Sequence, residues 1–293
     1  MLVSNKYPVI AWWSGGARSA VTCKLCIDMF GVECTRVVFI DTKNEDDDTY
    51  RFKAECEQWY GCKIESLTST EYDSIEDIWY DNLTLGLAKG AKCSEVLKIK
   101  VRQQFSKQNN FSYQAFGYDN GETSRAADMR KNNSHLRPIF PLLMVWMNKF
   151  DCIKYIQAAN SLFLNITVPV TYRLGLENNN CFKTGCVQGG IGYWQWMQKN
   201  QPEKFEAMAI REHEITDLKG EPVTICKDQS KGGGLIFLKH NPKYPAMKDI
   251  SMMKGRPPEM LMECNGFCNT NVENLKVQPI EKPLCGVGEK NRN

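Results

Sequence analysis

The sequence predicts an α/β fold, an open parallel sheet with helices on both faces, followed by a smaller irregular module that carries paired cysteines. Two observations predict the sheet. Short apolar runs, Val9-Ile10-Ala11-Trp12-Trp13 and Thr35-Arg36-Val37-Val38-Phe39-Ile40, alternate with stretches of helical periodicity. Strand–helix–strand order with short connections is the pattern of a parallel sheet. A third observation sets the C-terminal part aside: beyond residue 170, asparagine, glycine and proline break the periodicity. The expected division is 1–168 for the sheet domain and 169–293 for the module.

Residues 7–13 read as the first strand and 17–30 as the first helix, with Gly31 at its stop. Cys23 and Cys26 form a CxxC inside that helix, where the apolar periodicity favours packing over metal binding. The β-branched run 35–40 is a second strand of the buried parallel type, ending at Asp41-Thr42. An acidic loop, Asn44 to Asp48, leads into an amphipathic helix from Thr49 to Gly61, and Lys63 to Leu67 supply a third strand. A helix over 73–82 precedes Ser94, which reads as the N-cap of a helix carrying Lys98 and Arg102 one turn apart. That cationic pair suits a polyanion; a solvated face is the competing reading. Tyr113 to Tyr118 resembles another strand, followed by Glu122 and Arg125 one helical turn apart. Ile139 to Leu143 and a helix to Ala159 complete the sheet domain. The segment 168–172 reads as a connection, because Pro169 cannot donate to a ladder. A helix from Pro202 to Glu214 follows, and 215–258 read as irregular structure or a short hairpin.

The corner between the first strand and first helix, Ser14-Gly15-Gly16-Ala17-Arg18-Ser19, carries the chemistry. Adjacent glycines let backbone N–H groups approach an anion, the helix N-terminus adds positive potential, and the Ser14 and Ser19 hydroxyls add donors. The spacing fits neither the Walker loop nor the GxGxxG turn. An ordinary strand–turn–helix corner is the alternative. Ligands of open parallel sheets bind beyond the carboxyl ends of the strands, so this corner and Asp41-Thr42 should line one crevice. Asp41 could accept from a ribose hydroxyl or an adenine amino group, or be a solvated loop carboxylate. Arg125 is placed to reach the same crevice.

Composition narrows the classes. The chain has 293 residues, 42% hydrophobic and 24% charged, with a formal net charge of +3. These values describe a protein with a substantial core and do not point to a nucleic-acid coat or polybasic membrane binder, while leaving room for a local basic surface. No apolar stretch reaches membrane-spanning length and no signal peptide is evident, so a cytoplasmic location is expected. Thirteen cysteines, an odd count scattered along the chain, do not describe a disulfide framework.

Several stretches together resemble the phosphoadenosine phosphosulfate (PAPS) reductase-like branch of the PP-loop ATP pyrophosphatase superfamily. They are Ser14-Gly15-Gly16 with Ser19, Asp48 to Phe52, Gly90-Ala91-Lys92-Cys93-Ser94 with Leu97-Lys98, and Gly117 with Glu122 and Arg125-Ala126. Asn180-Cys181, Cys186-Val187 with Gly189-Gly190 and Gly192-Tyr193-Trp194, Pro202-Glu203-Lys204-Phe205, and Cys264 with Cys268 continue the series. The resemblance implies a PP-loop sheet fold and an adenine nucleotide, ATP or PAPS, used in adenylyl or sulfur transfer. It implies that Ser14, Gly15, Gly16 and Ser19 hold phosphate or sulfate, that Asp41 and Thr42 lie near the nucleoside, and that Lys98 and Arg125 neutralise charge. Arg18 stands where the loop commonly has aspartate. A guanidinium cannot ligate magnesium, and favours direct contact with sulfate or phosphate. The C-terminal stretch at Leu284-Cys285-Gly286 does not match the glutamate-cysteine tail of sulfonucleotide reductases.

Cys181 and Cys186, and Cys264 and Cys268, make two short-spaced pairs in turn-rich loops. Four such thiolates suit an iron–sulfur cluster or tetrahedral zinc, and the resemblance favours the cluster. Reduced thiols in loop cores are the competing reading. Cys93, expected at the crevice mouth, is the candidate nucleophilic or persulfide-bearing thiol, burial being its alternative. Three functions follow: an enzyme acting on an adenylated, sulfur-containing substrate; an ATP-dependent sulfur transferase acting on nucleic acid or a small-molecule acceptor; or a nucleotide-binding or structural protein without catalysis. Self-association is left open.

Overall fold

The computed structural model describes residues 3–85, 91–230 and 232–258, with the side chains of residues 163 and 164 left out. Five parallel strands form the sheet in the order β3-β2-β1-β4-β5. They are β1 (Val9–Trp13), β2 (Thr35–Ile40), β3 (Glu65–Leu67), β4 (Tyr113–Ala115) and β5 (Pro138–Ile139). β1 is central, with Val9 opposite Thr35 of β2 on one side and opposite Tyr113 of β4 on the other. The chain runs outward from β1 to β3, then returns to β1's other edge for β4. The order reverses between β1 and β4, the kind of switch point at whose carboxyl ends open parallel sheets place their ligands.

Burial on both faces explains why β1 is apolar throughout. Val9, Ala11 and Trp13 pack with helices α1 (Ala17–Phe30) and α2 (Asp47–Tyr60), and with Cys152 and Ile156 from later in the chain. Ile10 and Trp12 point to the opposite face, onto Phe105, Ala126 and Met129. α1 starts at Gly16 without a side-chain cap and ends at Gly31, whose φ of 87° suits glycine. α2 begins two residues earlier than the sequence reading, because Asp46 caps it by accepting from the Asp48 N–H. Asp47 and Asp48 in its first turn favour the same start.

After α3 (Ile75–Asp81), the expectation of an N-cap at Ser94 is corrected. Helical structure begins with α4 (Lys92–Ser94) after Ala91, passes through a π-helical turn at Glu95–Ile99, and continues as α5 (Lys100–Gln108). Ser94 lies inside this run with helical dihedrals and makes no capping bond. Past β4, α6 (Thr123–Asn132) covers one face of the sheet. The single helix expected up to Ala159 is two: α7 (Pro141–Met144) and α8 (Lys149–Ala159). Trp146 at a φ of 55° breaks the run, and a capping box between Asn148 and Asp151 starts the second helix. The connection expected at 168–172 contains a short helix, α9 (Val170–Arg173).

α10 (Ile191–Asn200) and α11 (Pro202–Lys219) follow, then a two-stranded antiparallel hairpin, β6 (Cys226–Lys227) with β7 (Leu235–Ile236). These elements share a separate core with α3 and residues 91–97: Ile78, Trp79 and Leu97 pack with Trp194, Met197 and Ile215. That core is assembled from both sides of the 168/169 division. No helix among the described residues is long and apolar enough to cross a membrane.

Candidate functional site

The loop from Ser14 to Ser19 sits at the carboxyl end of β1 and leads straight into α1. Gly15 has a φ of 83°, and a Cβ there would lie 2.9 Å from the Thr49 methyl and 3.3 Å from Asn179 Nδ2. Only glycine fits that backbone in that space. Ser19 staples the loop: its hydroxyl donates to the Gly16 carbonyl (2.9 Å) and accepts from the Ser14 N–H (3.0 Å). The Tyr172 hydroxyl, from α9, accepts from the Ala17 N–H at 3.0 Å. The N–H groups of Gly15, Gly16 and Ser19 have no hydrogen-bond partner among the described residues. All three residues are buried, and a buried N–H left without a partner is costly unless something else accepts from it. Gly117, just past β4, packs against the start of α1; a Cβ on it would stand 3.1 Å from the Ser19 amide nitrogen.

The Arg18 side chain is paired with carboxylates. It is 7% exposed, and its guanidinium donates to Asp119 (3.1 Å) and Glu122 (2.5 Å). Arg125 donates to the same Glu122 and lies over the Tyr118 ring, 5.2 Å from its centre. Two guanidinium groups and two carboxylates thus form one network beside the start of α1. A buried guanidinium requires carboxylate partners, and the fold supplies them to Arg18 in Asp119 and Glu122.

At the end of β2, Asp41 accepts from the Lys43 N–H (2.8 Å) and the Tyr50 hydroxyl (2.9 Å). Burial, then the bond to Asp41, pushes the Tyr50 phenol above its ordinary range. Thr42 is buried; it donates to Glu45 (3.0 Å), and its Oγ1 lies 3.8 Å from Cys181 Sγ. Nearby, Asp48 accepts from Arg51 and from the Val170 N–H at 2.6 Å. Burial alone would raise the Asp48 carboxyl, but these donors outweigh it and hold it below the usual range. α9 is thereby tied to α2.

Lys98 is buried on the π-helical turn, where π-bulges often mark functional sites. Cys93 is half-buried against the second core, a different packing unit from the loop. Cys181 and Cys186 are both buried. Lys204 clamps the turn between them, donating to the Phe182 carbonyl (2.7 Å), with its ammonium 4.2 Å from the Phe182 ring centre. Asn44 Nδ2 donates to Thr184 (2.9 Å), and the Tyr193 hydroxyl accepts from the Cys186 N–H (3.3 Å). Burial first, then Cys186, pushes the Tyr193 phenol well up. Cys264 and Cys268 lie outside the described residues. Among the described residues no group of three or more His, Cys, Asp or Glu could hold a metal ion. Cys23 and Cys26 are buried in α1, and burial raises both thiols far above their ordinary range, as packing groups require.

With this geometry in view, residues 8–166 match the family of the phosphoadenosine phosphosulfate reductase domain. The chain belongs to this family. Among solved structures it is similar to phosphoadenylyl-sulfate (PAPS) reductase from Candida auris in its phosphate complex. The identity is 14% and the TM-score 0.42, over 59% of this chain and 81% of that one. It is also similar to the U34-tRNA thiolase NcsA from Methanococcus maripaludis with its 4Fe-4S cluster, at 13% identity and a TM-score of 0.36, over 88% of this chain and 85% of that one. No curated protein matches the chain.

Within the PAPS reductase domain, the fold gathers Ser14, Gly15, Gly16 and Ser19 with Thr49 and Gly117, and joins Arg18 and Arg125 through Glu122. Cys181 is brought to Thr42 by a sulfur contact spanning 139 positions. Sequence reading missed Tyr172, Asn179 and Asp119. The run Asn178-Asn179-Asn180 read only as a turn before Cys181, and nothing local to it signals a partner 164 positions away.

Proposed function

We propose that the crevice between β1 and β4 binds an adenine nucleotide, ATP or PAPS, and that the protein is a PAPS reductase-like enzyme of adenylyl or sulfur transfer. One observation carries the reading: among the described residues, the N–H groups of the buried Gly15, Gly16 and Ser19 have no partner, at the N-terminus of α1 and beside the reversal of strand order. Such donors and the helix dipole suit the anionic end of a nucleotide. In the ATP case the substrate's nucleophile attacks the α-phosphorus and pyrophosphate leaves. Ser14, Gly15, Gly16 and Ser19 would hold the phosphate or sulfate, Asp41 and Thr42 would lie toward the nucleoside, and Lys98 and Arg125 would lower the site's negative potential. Arg18 would act at one remove, by fixing Asp119 and Glu122. These carboxylates are held by guanidinium groups, and we propose that the loop itself ligates no magnesium ion. The acceptor is nucleic acid or a small molecule, and Cys93 is the proposed sulfur-bearing thiol.

The cysteine pairs are proposed to hold an iron–sulfur cluster, with zinc as the alternative. Cys181 and Cys186 fit as half of a four-thiolate set, being buried and presented by a braced turn. Cys264 and Cys268 would complete it, and no step of the proposed chemistry passes through it. A second reading, nucleotide binding without catalysis, is favoured by Arg18, which stands where the loop commonly has aspartate and is paired with Asp119 and Glu122.

Calorimetric titration with ATP, PAPS and adenylyl sulfate tests the proposal. Saturable heat with at least one nucleotide is expected, abolished by Gly16→Val; three flat titrations would end the nucleotide reading. Recovery of intact nucleotide after long incubation with a protein that binds it would select the non-catalytic reading.

A further inference from the structure

We infer that Asn179 is a positioning residue for the anion loop, supplied from beyond the family-matched segment; this rests on the nucleotide reading above. Asn179 is 4% exposed. Its carboxamide nitrogen donates to the Gly15 carbonyl (3.0 Å) and the Thr49 hydroxyl (2.9 Å). Its carboxamide oxygen accepts from the Thr171 hydroxyl (3.1 Å). One planar group thus ties together the loop, α2 and α9, and both of its donor hydrogens and its acceptor oxygen are used.

The consequence for the loop follows from peptide geometry. In a trans peptide the C=O and the next N–H point in opposite directions. Drawing the Gly15 carbonyl toward Asn179 therefore turns the Gly16 N–H away from Asn179. That N–H is one of the loop donors without a partner among the described residues. The peptide unit between Gly15 and Gly16 turns about Gly15 ψ and Gly16 φ, which glycine leaves free to take several values, so the carboxamide selects its rotation. Aspartate would put a carboxylate against a carbonyl, and leucine would leave the Gly15 carbonyl unpaired. The anchor is itself steered: Thr171 orients the amide, and Asn179 precedes Cys181 by two residues. The segment that presents the candidate cluster cysteine is therefore the segment that aims the loop.

An orienting role at the anionic end predicts a selective defect. Binding of ATP and of adenosine to the full-length protein would be measured by calorimetry for the native chain, Asn179→Ala, Thr171→Val and Thr171→Ser, with melting temperatures alongside. Asn179→Ala removes three buried hydrogen bonds, and loss of the shape-setting one to the Gly15 carbonyl should weaken ATP about tenfold. Thr171→Val should weaken ATP less, Thr171→Ser should restore it, and adenosine should stay within about twofold throughout. Equal losses for ATP and adenosine would make the residue merely structural and overturn the inference. Unchanged ATP affinity in a folded Asn179→Ala would overturn it too. If Asn179→Ala does not fold, the Thr171 pair decides: equal ATP affinity in Val and Ser variants rejects it. A native chain that binds neither ligand is a distinct result, and refutes the nucleotide reading on which the inference stands.

Discussion

At the scale of single residues, the decisive events are buried charges finding partners. Arg18 was legible as a departure from the usual loop pattern, but its role was not. A guanidinium beside an anion loop and one locked to Asp119 look alike in sequence, since Asp119 is 101 positions away. Glu212 shows the same limit in another form. It lies within α11, a surface-like run of charges in the sequence, yet it is fully buried and accepts from the Ile225 N–H (2.8 Å) and the Leu238 N–H (2.6 Å). Burial pushes its carboxyl up to about 8, against the pull of those two donors. In an unfolded chain a glutamate titrates near ~4.3. Between these values the folded state keeps a proton that the unfolded state has released, so stability is fullest near the lower value and falls as pH rises toward 8. Glu57 works oppositely and in a lower window: burial would raise it, but Lys53, Lys63 and the Ile64 N–H bring it to about 2, so its contribution is lost on acidification. The expected outcome is a denaturation midpoint in urea that declines between pH 5 and pH 8, and a flatter profile in Glu212→Gln. Parallel profiles for the two proteins would remove Glu212 as the cause. Cys226 is the titratable neighbour, its thiol raised by burial and then by Glu212, and Cys226→Ala should leave the decline in place.

At the scale of elements, legibility tracked how local the cause was. β1, α1 and β2 were readable because an apolar run, a glycine pair and a stopping glycine are contiguous in sequence. The start of α2 shifted through a capping aspartate, a local cause that the periodicity masked. Ser94 misled because a small hydroxyl before an apolar run is an N-cap signal, whereas here Ala91 begins the helix and a π-helical turn follows before α5. The α7–α8 break depends on Trp146 in the left-handed region, held by bonds from Asn120 to the Trp146 and Met147 carbonyls. The contact between β4's end and α1 is equally non-local. Gly117→Ala would place its Cβ 3.1 Å from the Ser19 nitrogen and 3.3 Å from the Arg18 carbonyl carbon, both backbone atoms with little room to yield. Overpacking of this kind should cost about 1–3 kcal/mol and displace the loop amides. Urea denaturation of Gly117→Ala reads the first effect, and a weakened ATP titration the second. A variant as stable as the native chain would mean the helix start can slide without penalty.

At the scale of the whole molecule, the sheet class was legible and the partition of the cores was not. Periodicity reports which residues are buried, but not against what. Ile78, Trp79 and Leu97 precede β4, yet they pack with Trp194, Met197 and Ile215. Tyr172 and Asn179 follow the family-matched residues 8–166, yet they hold the loop near the start of that match. A fragment ending at residue 168 would therefore lose the partners of a buried tryptophan and the anchors of the Gly15–Ala17 backbone together. Uncovered apolar surface of this extent binds hydrophobic dyes and aggregates. The fragment 1–168 should show enhanced dye fluorescence, a broad thermal transition and no ATP binding, whereas the full chain should melt cooperatively. A fragment that melts sharply and leaves the dye dark would establish that the sheet needs nothing from the C-terminal module. The shared core around Trp79 and Trp194 would then be an accessory contact, with the loop's shape fixed by β1 and α1 alone.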